Sequence, residues 1–176
     1  MTAASQRIRA LRDDNKMTRS IIKSGQVAQN RKARFEYSIG DTLEAGISLT
    51  GAEVKSIRYG LVNITDGFVS SDRDGNLILK NIIVQPLPTA AKIVRFDERR
   101  GRQLLLHSAQ IRRLAGKLSE KGATIVPLKL YFNSRGKLKV LLGIGFGKSR
   151  VDKRETIKRR EWNKEKARIV KNKIVR

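Results

Sequence analysis

Residues 126–145 read VPLKLYFNSRGKLKVLLGIG, and apolar side chains recur at every second position on both sides of 133–136. The alternating positions are Leu128, Leu130 and Phe132 before this segment, and Leu138, Val140, Leu142 and Ile144 after it. Period-two alternation around a polar turn that contains glycine predicts a β-hairpin with one buried face. Pro127 cannot donate a main-chain hydrogen bond, so we expect its strand at a sheet edge or at a bulge.

Further strands are predicted on both sides of a short helix. Phe35, Tyr37 and Ile39 alternate before a predicted turn at Gly40-Asp41, and the apolar residues after it are Leu43, Ala45, Ile47 and Leu49. Residues 68–71 and 77–80 flank Asp72-Arg73-Asp74-Gly75, a turn sequence typical of a β-hairpin. One more strand is predicted at residues 103–107.

Two helix starts are marked by capping residues. Thr50 with Glu53 three residues later predicts a short helix to about Arg58, and Ser108 predicts a second helix. The second helix would bury Ile111, Leu114 and Leu118 on one stripe. Arg95–Arg102 has no apolar periodicity and is predicted to be a mobile, charged connection. The whole pattern predicts a mainly β protein with short helices, folded as a small closed antiparallel barrel.

The charge of the chain indicates a phosphate-rich partner. The 176 residues carry 39 Lys and Arg against 16 Asp and Glu, a formal net charge of +23. Nucleic acid is the favoured polyanion, and an anionic membrane surface is the alternative. No apolar run is long enough to span a bilayer, so no segment is predicted to cross one. With nucleic acid as the favoured partner, we expect no membrane partner. The absence of cysteine excludes disulfides and thiolate metal sites, and a single histidine argues against a catalytic or metal centre.

The charge is concentrated at both ends of the chain. Residues 1–34 carry 9 basic and 2 acidic side chains, and residues 147–176 carry 13 and 4. We therefore predict a flexible basic arm at 1–29, a domain at 30–147 and a basic tail at 148–176. The tail has too few apolar residues to bury a core, although Asp152 and Glu155 form a helix-start signal. We expect it to be coil when free and helical on a polyanion.

Two motifs that resemble catalytic elements have simpler explanations. Gly143–Ser149 ends like a phosphate-binding loop, but the first glycine of that motif falls on Leu142, so a flexible hinge is the favoured interpretation. His107 stands beside Ser108 without any partner that would complete a catalytic dyad. We predict no catalytic residue, no metal site and no cofactor.

Other residues are candidates for RNA contacts. Arg31-Lys32-Ala33-Arg34 precedes the aromatic Phe35 and Tyr37, a combination of charge and stacking that single-strand RNA readers use. Glu44 either forms a surface ion pair, or orients neighbouring Arg or Lys, or accepts a hydrogen bond from a base edge or a 2′-hydroxyl of RNA. Trp162 is the only tryptophan and lies in the tail, where it is predicted to stack on RNA or on a partner upon binding, with burial against the domain as the alternative.

Five blocks of the sequence resemble the SmpB (SsrA-binding protein) family. They are NRKARFEY (30–37), LEAGISLTGAEVKSIRYG (43–60), QLLLH (103–107), VPLKLYFNSRGKLKV (126–140) and DKRETIKRREW (152–162). The resemblance implies a barrel related to the OB fold. It also implies a cytoplasmic protein, monomeric with one RNA, that binds the tRNA-like domain of transfer-messenger RNA (tmRNA) and delivers it to stalled ribosomes. There the tail would lie as a helix near the decoding centre, in the mRNA channel lined by 16S rRNA.

The resemblance and the charge pattern together nominate two groups of residues. The candidate RNA-binding residues are Asn30, Arg31, Lys32, Arg34, Phe35, Tyr37, Glu44, Lys55, Arg58, Leu105, His107, Lys137, Lys139, Gly147 and Lys148. The candidate ribosome-engaging residues are Asp152, Lys153, Arg154, Lys158, Arg159, Trp162, Lys166, Arg168, Ile169, Val170 and Lys171. The family commonly has histidine at the position of Phe35 and methionine at that of Val170. A ribosomal structural protein is the alternative function, and an RNA-processing enzyme is disfavoured.

Overall fold

A computed structural model describes residues 21–87 and 97–174 of the chain. The strands are β1 Gly25–Gln29, β2 Tyr37–Ile47, β3 Val62–Asn63, β4 Phe68–Ser71, β5 Leu77–Lys80, β6 Ile83–Val84, β7 Arg102–Leu105, β8 Ala123–Phe132 and β9 Leu138–Gly147. The helices are α1 Ala33–Glu36, α2 Gly51–Arg58, α3 Ser108–Ser119 and α4 Arg150–Ile174. The predicted mainly β fold with short helices is confirmed.

Seven strands form one antiparallel sheet in the order β1-β8-β9-β2-β7-β5-β4, and β3 pairs with β6. The edge strands β1 and β4 are not paired with each other in the described part of the chain, so the predicted closed barrel is wrong. The sheet instead curls until β4 lies against β8. This curling encloses the main core, which includes Ile57, Leu79, Leu114, Leu130 and Val140.

The sheet begins earlier in the chain than the sequence predicted. Gly25–Gln29 was assigned to the flexible arm, but it forms β1 and pairs with β8. The main chain is also held just before this strand, because the Ile22 amide donates to the Arg58 carbonyl over 2.9 Å. The predicted boundary at residue 30 is therefore several residues late, because strand pairing and not local composition orders this segment. Residues 1–20 of the arm lie outside the described residues.

A bulge in β2 replaces the predicted turn at Gly40-Asp41. Ile39 pairs with Gly145 and Thr42 pairs with Gly143, so β2 holds one extra residue between these two pairs. An extra residue moves the following side chains to the opposite face of the strand. Ile39 consequently packs in a second, smaller cluster, whereas Ala45 packs in the main core. Phe35 was predicted in a strand but lies in the one-turn helix α1.

A second bulge lies in β8 between Pro127 and Lys129, where the sequence predicted an edge or a bulge. The strand lies between β1 and β9, so the bulge alternative is the correct one. It places Leu128 in the smaller cluster with Ala33 and Val126, and it leaves Leu130 in the main core. The prediction that Leu128 and Leu130 share one face was wrong for this reason.

Glycines 143 to 147 belong to β9 and do not form the predicted hinge. A side chain at Gly145 would place its Cβ 2.3 Å from the Ser38 carbonyl oxygen of the neighbouring strand. A Cβ at Gly143 would lie 2.9 Å from the Leu128 side chain. Two glycines of the run that resembles a phosphate-binding loop are thus explained by close strand packing.

We therefore expect Gly145→Ala to destabilise the protein by about 1–3 kcal/mol, the usual cost of overpacking a site that cannot yield. The clash is with main chain, which cannot rotate away from the new methyl group. Chemical denaturation would measure the change. Gly147→Ala is the matched control on the same strand, because no atom lies within 4 Å of its added Cβ. Equal stability of both variants would contradict the packing argument.

Both predicted short helices are present. Thr50 caps α2 and exchanges hydrogen bonds with Glu53, and Gly60 follows the helix with a positive φ of 73°. In α3, Leu114 is buried, and Ile111 and Leu118 pack against the same core. The predicted cap at Ser108 is one residue late, because His107 is the N-cap and its amide donates to the Gln110 side chain over 3.0 Å.

A buried ion cluster lies where the sequence predicted a mobile connection. Glu53 and Arg102 both have fully buried side chains, and Nε of Arg102 donates to Oε1 of Glu53 over 2.9 Å. Arg100 donates to both oxygens of the same carboxylate. Burial raises the pKa of Glu53, but the hydrogen bonds from Arg100 and Thr50 and the charge of Arg102 outweigh it and hold the pKa below its ordinary value. The segment from residue 97 to Arg102 is therefore held to the domain by the ion pairs of Arg100 and Arg102 with Glu53.

The tail is a 25-residue helix, α4, in the structure of the chain alone, where the sequence predicted coil without a partner. Ser149 begins it: its hydroxyl accepts from the Asp152 amide over 3.2 Å, and its own amide donates to the Asp152 carboxylate over 3.1 Å. The predicted cap at Asp152 is thus three residues late. Reciprocal capping satisfies donors that the first turn leaves free. The side chains of Val151, Ile157 and Trp162 remain exposed, so within 151–158 and 161–166, where the side chains of this helix are described, no apolar face joins the core.

Candidate nucleic-acid interface

One row of residues crosses the outer face of the sheet. Leu105 of β7 pairs with Gly46 of β2, Gly46 pairs with Lys139 of β9, and Lys139 pairs with Tyr131 of β8. Their neighbours Leu104, Ala45, Val140 and Leu130 all point into the main core. Side chains alternate along strands, so this row faces outwards. Leu105 is 56% exposed, which is unusual for a leucine in a central strand.

Glu44 is held at this row by two partners. Lys139 lies 3.1 Å from Oε1 of Glu44, and the Tyr131 hydroxyl donates to Oε2. The hydrogen bond from Tyr131, followed by that from Lys139, lowers the pKa of Glu44. Burial and the same hydrogen bond raise the pKa of Tyr131 to about 12. The cluster therefore keeps a fixed carboxylate, a cation and a phenol on one exposed surface.

Glu44, Leu105 and Lys139 were all candidates from the sequence, and the structure brings the three together. Tyr131 and Gly46, which complete the same cluster, were not among the candidates. Tyr131 is opposite Lys139 in the predicted hairpin, so the hairpin register could have identified it. Gly46 could have been found only from the pairing of β2 with β7, two strands that are far apart in the sequence.

Asn30 lies in the interior and cannot contact RNA directly through its side chain. It is 3% exposed, and its amide nitrogen donates to the carbonyls of Ile64 and Thr65 over 3.3 and 2.8 Å. Its amide oxygen accepts from the Ala33 amide over 2.9 Å. These bonds join the end of β1, the start of α1 and the loop after β3. The nomination of Asn30 as an RNA-binding residue stays a prediction, and in this structure its side-chain amide is bonded within the protein.

The basic cluster at α1 is exposed apart from Ala33. Arg31, Lys32 and Arg34 lie on the surface, and Phe35 and Tyr37 are half-buried. Lys32 bridges Asp66 at 3.2 Å and Glu36 at 3.4 Å, and the hydrogen bond with Asp66 is the main cause of its raised pKa. The pair with Asp66 is exposed and the pair with Glu36 is only partly buried, so both contribute little to stability.

The start of the tail is tied to α1. The Lys148 amide donates to the Glu36 carbonyl over 2.8 Å, and its ammonium group donates to the Arg34 carbonyl over 3.1 Å. Gly147 is exposed beside it, paired with Tyr37. The predicted RNA-binding cluster at residues 31–37 and the start of the tail at Lys148 therefore form one surface.

The remaining candidates are less closely grouped. Lys55 is exposed on α2, but Arg58 is half-buried, with its guanidinium 4.5 Å from the centroid of the Phe132 ring. Arg58 also donates to the carbonyls of Ile22 and Gly136, so its guanidinium group is held against the protein. Lys137 and His107 are exposed at the hairpin turn and at the start of α3.

The predicted tail residues from Asp152 to Lys171 all lie within α4. Trp162 is 62% exposed, with the ammonium group of Lys166 over its ring at 5.3 Å. The alternative that Trp162 is buried against the domain is therefore wrong. A long basic helix whose single tryptophan is uncovered offers charge and a stacking surface to a second molecule.

Within residues 21–87 and 97–174, no cluster of acidic or histidine side chains could hold a metal ion. None of the helices described there is both long and apolar enough to cross a lipid bilayer.

Comparison with known proteins identifies relatives of the chain. The SmpB protein family model matches residues 27–172. An SsrA-binding protein of Rhodospirillum rubrum is 46% identical over 154 residues, which cover 88% of this chain and 96% of the relative. One of Rhodopseudomonas palustris strain HaA2 is 49% identical over 145 residues, covering 82% and 91%.

A solved structure described as "tmRNA-SmpB: a journey to the center of the bacterial ribosome" is also similar. It has 47% sequence identity, covers 74% of this chain and 93% of that chain, and has a TM-score of 0.60. Both the sequence and the fold thus agree with the resemblance carried by the five sequence blocks. The chain belongs to the SmpB family.

Proposed function

We propose that this protein binds the tRNA-like domain of tmRNA and delivers it to stalled ribosomes for trans-translation, with α4 lying in the empty mRNA channel. The protein acts in the cytoplasm, as a monomer with one RNA and without catalysis of its own. The observation that carries the proposal is identity of 46–49% with SsrA-binding proteins over more than four-fifths of the chain.

The geometry of the sheet supports recognition of a folded RNA. The row from Leu105 to Tyr131 presents Lys139 and Glu44 at fixed positions on an exposed surface. Structured RNA is read mainly by its shape, through phosphate and 2′-hydroxyl contacts and a few base contacts. A preformed carboxylate that orients a lysine suits such recognition, because little side-chain entropy is lost on binding.

The geometry of α4 supports a separate task for the tail. The helix begins next to α1 and exposes basic side chains such as Arg154, Lys158 and Lys164, with Trp162 uncovered. A channel walled by rRNA phosphates would complement this charge. The domain therefore holds one RNA while the tail engages another.

The proposal is tested by isolating the protein from its host and sequencing the RNA that co-purifies with it. We expect one small, tRNA-like RNA to be strongly enriched over rRNA and tRNA. Enrichment of rRNA alone, together with equal amounts of the protein in all ribosomes across a sucrose gradient, would instead identify a ribosomal structural protein. Turnover of RNA by the pure protein would contradict the absence of catalysis.

A further inference from the structure

Arg58 holds the chain to the domain just before β1. The Ile22 amide donates to the Arg58 carbonyl over 2.9 Å, and Nη1 of Arg58 donates back to the Ile22 carbonyl over 3.3 Å. Nη2 of the same side chain donates to the Gly136 carbonyl over 3.4 Å, and the guanidinium lies 4.5 Å from the centroid of the Phe132 ring. This contact, the Arg58 clamp, therefore fastens Ile22 to the β8–β9 turn and fixes the point at which residues 1–20 join the domain.

Exposed cations lie at this point. The pairing of Gly25 with Phe132 brings Lys23, two residues earlier, towards the turn that carries Arg135. The side chains of Lys23 and Arg135 are both exposed. Exposed lysine and arginine side chains are the groups that most often contact the phosphates of a nucleic acid.

Residues 1–20, which lie outside the described residues, continue this positive charge along the chain. They carry five basic and two acidic side chains, a net charge of +3. The basic residues are Arg7, Arg9, Arg12, Lys16 and Arg19, and the acidic residues are Asp13 and Asp14. Twenty residues can reach at most about 70 Å, which is enough to follow several phosphates of a neighbouring RNA.

The clamp lies at the β1 edge of the sheet and far from the tail. Tyr131, in the row on the outer face, pairs with Gln26 of β1, which follows Lys23 by three residues. Gly147, after which α4 begins, lies at the opposite end of β9 from the turn at Gly136, roughly 30 Å away at the usual rise of a strand. Residues 1–20 are therefore delivered to the RNA held by the sheet and not to the RNA around the tail.

We propose that residues 1–20, directed by the Arg58 clamp, bind phosphates of the same RNA that the sheet holds, beyond the edge of the sheet at β1. The inference rests on the proposed function, which names this RNA as the tRNA-like domain of tmRNA. The contact is independent of sequence, because every nucleotide carries the same phosphate. Arg58 is a positioning residue, because tethering beside the RNA raises the effective concentration of these cations at the phosphates.

The test is a salt titration of binding to the isolated tRNA-like domain by the full chain and by a variant in which the five basic residues of 1–20 are glutamine. If about three to five phosphate contacts are lost, the affinity should fall about 10- to 100-fold. The slope of log affinity against log salt should become shallower by about 2–4. The control of opposite sign is Asp13→Asn with Asp14→Asn, which should tighten binding because it removes two repulsive charges.

The outcomes separate this inference from the proposed function. Unchanged affinity and slope in the glutamine variant would overturn the inference and leave the proposed function standing. So would a loss of ribosome binding alone, because it would place residues 1–20 on another RNA. Weaker binding by both variants would indicate damage to the protein and not a loss of charge, and would also count against the inference. Failure of the unchanged protein to bind the tRNA-like domain would overturn both.

Arg58→Lys tests the clamp, because lysine keeps the positive charge but lacks the planar group that donates to two carbonyls at once. In the otherwise unchanged protein we expect it to weaken binding of the tRNA-like domain several-fold. Combined with the five glutamines it should have little further effect, because no charge is left to position. Equal losses in the two backgrounds would assign Arg58 to folding or to direct RNA contact and overturn its positioning role.

Discussion

Deletion of residues 149–176 is expected to abolish rescue of stalled ribosomes while leaving affinity for the tRNA-like domain of tmRNA nearly unchanged. The deletion removes α4, which carries 11 basic and 4 acidic side chains and exposes Val151, Ile157 and Trp162. It leaves the row on the outer face of the sheet intact, and it removes no residue of either core cluster. Peptide tagging in a reconstituted translation system and RNA binding by filter retention would measure the two activities.

The salt dependence of binding is the control for this deletion. If the domain neutralises about 6–10 phosphates, the affinity of the full chain should fall roughly 10³–10⁵-fold between 50 and 200 mM salt. The deleted protein should show the same slope, because the tail does not bind this RNA. A shallower slope after deletion would place the tail on the tmRNA and contradict the separation of the two tasks. Unimpaired tagging would remove α4 from the mechanism altogether.

Glu53→Gln is expected to destabilise the domain by about 3–5 kcal/mol, because it leaves the fully buried guanidinium of Arg102 without its counter-ion. The amide would also weaken the bonds that Arg100 and Thr50 make to the carboxylate. Chemical denaturation followed by circular dichroism measures this loss. Asp66→Asn is the matched control, since Asp66 forms an exposed pair with Lys32 and should lose less than about 1 kcal/mol.

The pH dependence of stability provides an independent check on the same cluster. The folded-state pKa of Glu53 is lowered, so its carboxylate stabilises the protein above the unfolded pKa of about 4.3 and this contribution is lost as the pH falls through the folded value. Stability of the unchanged protein should therefore decline below about pH 4. Glu53→Gln should show a weaker decline, with Glu44 supplying part of what remains. Identical pH profiles would contradict a charged Glu53 in the folded state.

Local patterns predicted the elements that depend on neighbours in the sequence. The hairpin around Asn133–Gly136, the hairpin around Asp72–Gly75 and the capped helix after Thr50 are all present as predicted. Each is specified within about ten residues, by alternation, by turn residues or by a cap. The positive charge and its concentration at the two ends also follow from composition alone, and with them the expectation of a polyanionic partner.

Long-range contacts decided which candidate residues are available to RNA. The sequence suggests that Asn30 and Arg58 are polar surface residues. The carbonyls to which their side chains donate lie 34 to 78 positions away in the chain, and these contacts bury them or hold them against the protein. From the sequence, Glu53 is predicted only to cap a helix. The structure shows that it also pairs with Arg102, which lies 49 positions later in the chain. No local pattern carries this information, because strand order determines which segments meet.

The bulges show the same limit within single strands. By alternation alone, Ile39 and Ala45 share one face, and so do Leu128 and Leu130. One extra residue in β2 and one in β8 place Ile39 and Leu128 on the other side of the sheet. The sequence by itself determined that the protein is a basic β domain with a coreless tail, because alternation and charge are local properties. Only the tertiary structure decided which side chains face outwards, because a one-residue shift in pairing exchanges the two faces of a strand.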